Sequence, residues 1–254
     1  MTGRLEGQHI IVTGGSRGIG AAIVEKSLAE GARISVIDID TTAGLSLANG
    51  LEADRFVFAP GDIRSAADIS AFHELAVANF GPVTGLVNNA GRNSYADPLK
   101  MTEIEWDEVF AVDLKAAWLC ARAVLPAMIA ARRGSIVNIA SVHADQTYKG
   151  YFPYAAAKSG LVGLTRSLAL EVGPNQVRVN AVSPGWTETF LVAEYLATQP
   201  PEMRKQVLAA HPMGRIAKPT EIANCAAFLL SDEASFVTGA NWRVDGGLGA
   251  RFAG

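Results

Sequence analysis

A chain of 254 residues, 49% hydrophobic and 19% charged, can bury a large core as one undivided domain. Its formal net charge of −3 lacks the basic footprint of nucleic-acid binding, and no polybasic run suits an anionic membrane. Cys120 and Cys225 are too few and too far apart for a zinc framework, so no metal site is expected. The opening MTGRLEGQHIIV lacks the basic start and apolar stretch of a secretory leader. No uninterrupted apolar run reaches membrane-spanning length, and a reducing cytoplasm is the expected compartment.

In chain order, HIIVT at 9–13 is a β-branched run suited to a buried strand. Gly14, Gly18 and Gly20 follow at once, and Ile19, Ile23, Val24 and Leu28 recur at helical spacing up to about Gly31. A strand, a glycine turn and a helix N-terminus in that order form an anion site, because free backbone N–H groups and the helix dipole point at a bound pyrophosphate. The spacing is Gly-x-x-x-Gly-x-Gly, unlike the Gly-x-Gly-x-x-Gly of the commonest dinucleotide fingerprint. ARISVID is a second strand ending on Asp38, at the distance from the turn expected of a carboxylate that binds an adenosine ribose. Such a carboxylate repels a 2′-phosphate, so NAD is favoured over NADP; Arg17, inside the turn, is the counter-indication.

Further on, a helix is expected near 42–50, a strand at RFVFA, a helix at 66–79, the strand GLVN and a long helix over 103–131. The strand SIVNIA, a helix carrying Tyr154, the strand QVRVNAV, a helix at 219–230 and the strand NWRV complete the alternation. Such alternation predicts an α/β fold of Rossmann type, a doubly wound parallel sheet with helices on both faces.

The segment YAAAKSG places Tyr154 and Lys158 four apart, on one helix face. A free phenol ionises near pH ~10, but a cation held nearby favours the phenolate, which suits Tyr154 to general acid/base work. Ser141, past the apolar run SIVNIA, is placed at a strand's carboxyl end, where its hydroxyl can hold a substrate oxygen beside the phenol.

These motifs together resemble the short-chain dehydrogenase/reductase family, from TGGSRGIG at 13–20 through Asp62, NNAG at 88–91, Ser141, Tyr154 and Lys158 to PGWTET at 184–189. The resemblance implies about seven strands and a cofactor site that includes Gly14, Ser16, Arg17, Gly18, Ile19, Gly20 and Asp38. It implies adenine contacts at Asp62 and Ile63, and a channel lined by Asn89, Ala90 and Gly91. It also implies cofactor contacts at Tyr154, Pro184 and Gly185, with Lys158 on the nicotinamide ribose, the Thr187 backbone on the carboxamide and Thr189 near the pyrophosphate. One position departs from the family: Asp113 stands where an asparagine usually helps hold a water for proton relay. Activity is expected to survive that change.

The segment 187–213 is read as a substrate-covering loop, with Phe190, Leu191, Tyr195 and Leu196 as lid or contact groups. Asn93, His143, Gln146, Tyr148, Tyr151 and Trp186 are placed around the mouth, where polar and aromatic groups suit a small hydroxylated substrate. Arg251 is read as a solvated tail residue or a partner to a carboxylate. The stretches KAAWLCARAVLPAMIAA and GLVGLTRSLALEV are apolar around much of their circumference; in the resembling family such helices form dimer faces, and a homotetramer is expected. The activity expected is NAD-dependent interconversion of a secondary alcohol and a ketone, or of a sugar and its lactone. The alternatives are an NADP-dependent ketone or 3-oxoacyl reductase, and a redox-neutral lyase or epimerase.

Overall fold

The computed structural model describes residues 3–251. Seven parallel strands form one sheet: β1 (His9–Thr13), β2 (Arg33–Asp38), β3 (Phe56–Pro60), β4 (Gly85–Asn88), β5 (Gly134–Ile139), β6 (Val177–Pro184) and β7 (Asn241–Val244). They lie in the order β3-β2-β1-β4-β5-β6-β7, so the winding reverses between β1 and β4. Thr13 is in register with Asn88, and Asn88 with Asn138, which brings the carboxyl ends of β1, β4 and β5 level at the reversal. Ligand crevices of open α/β sheets form at such a point.

Period-two alternation divides the core. Ile10 and Val12 face one layer with Ile23, Val24, Ile222 and Leu229, from α1 (Gly18–Ala29) and α9 (Pro219–Leu230). Ile11 faces the other with Phe72 of α3 (Ala66–Phe80), Leu119 and Met128. Both faces are covered, which is why the strands read as unbroken apolar runs. α2 (Thr41–Ala48) follows β2, N-capped by Asp40, whose carboxylate accepts from the Ala43 N–H.

The expected long helix over 103–131 is interrupted. α4 (Glu103–Phe110) and α5 (Ala116–Ala131) are joined by a π-helical turn over Ala111–Lys115, where the Ala116 N–H bonds the Ala111 carbonyl. The extra residue turns Asp113 inward, to 2% exposure. Glu103–Ala131 is long and apolar enough, by length and composition, to cross a membrane, although charged residues such as Asp113, Lys115 and Arg122 interrupt its apolar run. Here Ala117, Leu119, Val124 and Met128 bury their side of it against the sheet and neighbouring helices.

After β5, α6 (Tyr154–Val172) runs to β6. The segment 187–213 is not the loop expected of it. It holds α7 (Phe190–Ala197), capped by Thr189 to the Val192 N–H, and α8 (Pro201–Ala210). Arg251 is exposed at the tail, as expected, and its guanidinium also donates to the Ala209 carbonyl at 2.8 Å, which ties the tail to the end of α8.

Candidate active site

A cleft of about 910 Å³ opens at the carboxyl ends of the strands, over the reversal point. It is lined at one end by Gly14, Arg17, Gly18, Ile19, Gly20, Asp38, Asp62 and Ile63, and at the other by Asn93, Ser141, His143, Tyr154 and Trp186. Asn89, Ala90, Gly91, Asp113, Lys158, Pro184, Gly185, Thr187 and Thr189 also line it. Of the catalytic and cofactor-binding residues expected from sequence, Ser16 alone is missing from the wall. Gln146 and Tyr148, expected at the mouth, are also outside it, although Tyr148 packs edge-on against His143.

The glycine turn is a close-packed corner. A methyl group at residue 14 would sit 2.8 Å from the Ala90 Cα, and one at residue 20 would overlap the Gly14 carbonyl. Gly14 and Gly18 also take positive φ, at 62° and 55°. Gly15, which the motif reading passed over, is equally constrained, since its Cβ would lie 2.8 Å from Val36. Asn89 locks the corner by donating to the carbonyls of Thr13 and Gly14, while the Thr13 hydroxyl accepts from the Asn89 and Ala90 N–H groups. Thr13 opens the TGGSRGIG motif, but its part lies in β1–β4 register, which the motif does not report.

These residues fit a dinucleotide. α1 starts with no side-chain cap and no acid in its first turn, so its N–H groups and dipole remain available to an anion. The buried Ser16 hydroxyl beside it has no hydrogen-bond partner. At the end of β2, Asp38 accepts from the Ser16 N–H and the Asp40 N–H, both at 3.0 Å, one on each carboxylate oxygen. Each oxygen keeps acceptor capacity for a ribose hydroxyl. Arg17 is engaged elsewhere: its Nε donates to Asp40 at 2.8 Å, and its guanidinium lies 5.8 Å above the Phe190 ring.

On the reacting side, Tyr154 opens α6, with Lys158 one turn on and its Nζ 5.6 Å from the phenol ring centroid. The Lys158 ammonium donates to the Ile139 carbonyl at 3.2 Å and meets Asp113 Oδ1 at 3.1 Å. Asp113 also accepts from the Arg92 N–H. Burial pushes the Asp113 carboxyl above the usual carboxylate range, against the pull of Lys158. Burial likewise opposes the Lys158 ammonium, yet the Asp113 and Tyr154 oxygens outweigh it and hold its pKa above the ordinary lysine value. Asp113 thus acts through its side chain directly on the lysine. Gly91 covers the pair, because a Cβ there would fall 2.7 Å from Asp113 Oδ1 and 3.1 Å from Lys158 Nζ.

Ser141, two residues beyond β5, caps a short 3-10 turn by accepting from the His143 N–H. His143 is buried, its Nδ1 is 2.9 Å from the Thr147 hydroxyl, and burial lowers its pKa to about 4. Tyr95 was not legible as a site residue; it lies on an irregular segment after β4, stacked on Tyr195 of α7. Among the described residues, no group of His, Cys, Asp and Glu is arranged to hold a metal ion.

The family described as Enoyl-(Acyl carrier protein) reductase matches residues 14–249. The chain is 38% identical over 257 residues to 2-(S)-hydroxypropyl-CoM dehydrogenase 3 of Xanthobacter autotrophicus, covering 98% of this chain and 100% of that one. It is also 38% identical to the 3-oxoacyl-(acyl-carrier-protein) reductase of Thermotoga maritima over 250 residues, 96% of this chain and 99% of that one. The corresponding Escherichia coli reductase is 38% identical over 249 residues, with 96% and 98% covered. Likeness of this extent takes in the glycine corner, the sheet and the cleft alike, and the chain belongs to the short-chain dehydrogenase/reductase family of oxidoreductases.

Proposed function

We propose that this chain is an NAD-dependent dehydrogenase that interconverts a secondary alcohol and its ketone. The observation that carries the reading is one cleft with Ser141, Tyr154 and Lys158 at one end and the Asp38 carboxylate at the other. Ser141 Oγ holds the substrate oxygen, and Tyr154 takes the hydroxyl proton during oxidation or returns it during reduction. The Lys158 ammonium supplies positive charge beside the phenol and is itself held by Asp113 and the Ile139 carbonyl. Bound nicotinamide supplies the acceptor for the carbon-bound hydrogen and its electron pair. Asp38, with Asp40 two residues on, accumulates negative charge where a 2′-phosphate would lie, and Arg17 is already paired with Asp40. That arrangement favours NAD. Cys120 and Cys225 are both free, which suits a reducing compartment such as the cytoplasm.

A second reading, an NADP-dependent 3-oxoacyl reductase, is favoured by the names of the Thermotoga maritima and Escherichia coli relatives. Reduced-nicotinamide absorbance, followed with NAD and with NADP over a panel of secondary alcohols and 3-oxoacyl thioesters, separates the two. Net NADH formation also excludes a redox-neutral lyase or epimerase. Tyr154→Phe is expected to cut turnover by roughly 10²–10⁴-fold while sparing most NAD affinity in a fluorescence titration. Asp38→Ala is expected to lower the NAD-to-NADP preference by roughly tenfold or more, the worth of one charge-assisted hydrogen bond. An unchanged coenzyme ratio would remove Asp38 from the assignment.

A further inference from the structure

Beside Tyr154, the cleft wall is a continuous band of aromatic rings contributed by separate segments of the chain. The His143 ring lies 5.9 Å from the Tyr154 ring and stacks on Tyr151 at 4.0 Å and 20°. Tyr151 meets Tyr95 edge-on at 5.1 Å, Tyr95 stacks on Tyr195 at 5.9 Å and 14°, and Tyr195 leans on Trp186 at 5.9 Å. All five rings line the cleft. From the substrate oxygen outward, the carbinol's substituents therefore meet ring faces and edges.

The band also lacks a charge to offer. The cations that line the cleft are Arg17, Arg64, Arg92 and Lys158, and each already faces a carboxylate: Asp40 at 2.8 Å, Asp62 at 2.6 Å, Glu108 at 3.0 Å and Asp113 at 3.1 Å. The acids that line it, Asp38, Asp40, Asp62 and Asp113, are all hydrogen-bonded as well, and none belongs to the ring band. Burial keeps His143 neutral above a pKa of about 4, and it raises the phenols of Tyr151 and Tyr95. A charged substrate group set against this wall would be desolvated without a partner.

Resting on the dehydrogenase reading above, we infer that the substrate is an uncharged secondary alcohol or ketone with a planar aromatic group next to the reacting carbon. The groups around the mouth first suggest a hydroxylated substrate. Their ring-to-ring arrangement shifts that reading, because the side chains present π surface and only scattered hydroxyls. An aromatic band can also hold a cation over its ring faces, so a quaternary amine is the competing ligand to exclude.

The test compares kcat/KM with NAD for 1-phenylethanol, its cyclohexyl counterpart, 2-butanol, sorbitol, 3-hydroxybutyrate, a 2-hydroxyalkyl sulfonate and a hydroxylated quaternary amine. Alongside, acetophenone is titrated calorimetrically into the NAD-loaded Tyr154→Phe variant. A roughly tenfold advantage of 1-phenylethanol over both its cyclohexyl counterpart and 2-butanol is expected, in line with the added worth of aromatic pairs. Tyr195→Ala is expected to lower that ratio towards one. Preferred turnover of the polyol, the hydroxy acid, the sulfonate or the quaternary amine overturns the inference and leaves the dehydrogenase reading standing. Acetophenone binding without oxidation of any alcohol supports the ring band as the ligand wall and overturns the dehydrogenase reading. Absence of acetophenone binding overturns the inference.

Discussion

Asp113 shows how one residue can change the electrostatics of a site without changing its shape. It brings a carboxylate within 3.1 Å of a buried ammonium, so the pair is close to neutral where an asparagine would leave the lysine charge unbalanced. Because Asp113 helps hold the Lys158 pKa above its ordinary value, the ammonium persists to high pH. In Asp113→Asn that support is gone while burial remains, so Lys158 loses its proton at lower pH. The alkaline limb of a kcat/KM profile should then move to lower pH, with turnover near neutrality retained. Asp113→Leu leaves the ammonium unpaired and should lower folding stability by about 3–5 kcal/mol in denaturant titration. The sequence made this residue visible as a departure from the family, but not its contact, since nothing in FAVDLKAAW reports that the backbone widens into a π turn there.

At the scale of elements, the strands and the α1, α3, α6 and α9 helices were readable because each buries a regular set of apolar positions. α7 and α8 were not. α8 buries Val207 alone, and the prolines at 200 and 201 read as loop, although Pro201 in fact opens the helix. The glycine corner was read as an anion cradle, and its packing makes it also a joint between β1, α1 and the chain after β4. Gly20→Ala places a methyl group against the Gly14 carbonyl, so the corner must open. The expected outcome is an overpacking loss of roughly 1–3 kcal/mol in stability together with strongly weakened NAD binding, by melting and by titration. Normal NAD affinity in that variant would show that the corner yields without disturbing the anion site.

For the whole molecule, the chain alone leaves large apolar side chains in water: Trp118 of α5 at 43% and Leu170 of α6 at 80% exposure. β7 ends the sheet, and Trp242 on it is stacked on Phe228 and partly exposed; Phe236, on the segment that leads into β7, is fully exposed. Two separate apolar faces, one along α5 and α6 and one at an open sheet edge, are what a tetramer of two-fold interfaces would cover. Sedimentation at micromolar concentration should therefore give four times the chain mass, and Leu170→Glu should shift it towards smaller species. A monomer for the unaltered chain would contradict this reading. The fold class followed from alternation along the sequence, whereas self-association depends on surface outside any one chain's core, which periodicity does not distinguish from burial.

The pairing of α1 with α9 has a consequence for how the protein is made. Ile23 and Val24, just behind the anion corner, are covered in part by Ile222, Ala226, Leu229 and Leu230, about two hundred residues later in the chain. On the ribosome the nucleotide-binding half emerges before α9, and its apolar underside stays bare until that helix has been synthesised. Any message cut short before residue 219 yields a nascent chain with that surface uncovered, a natural substrate for chaperones and proteases.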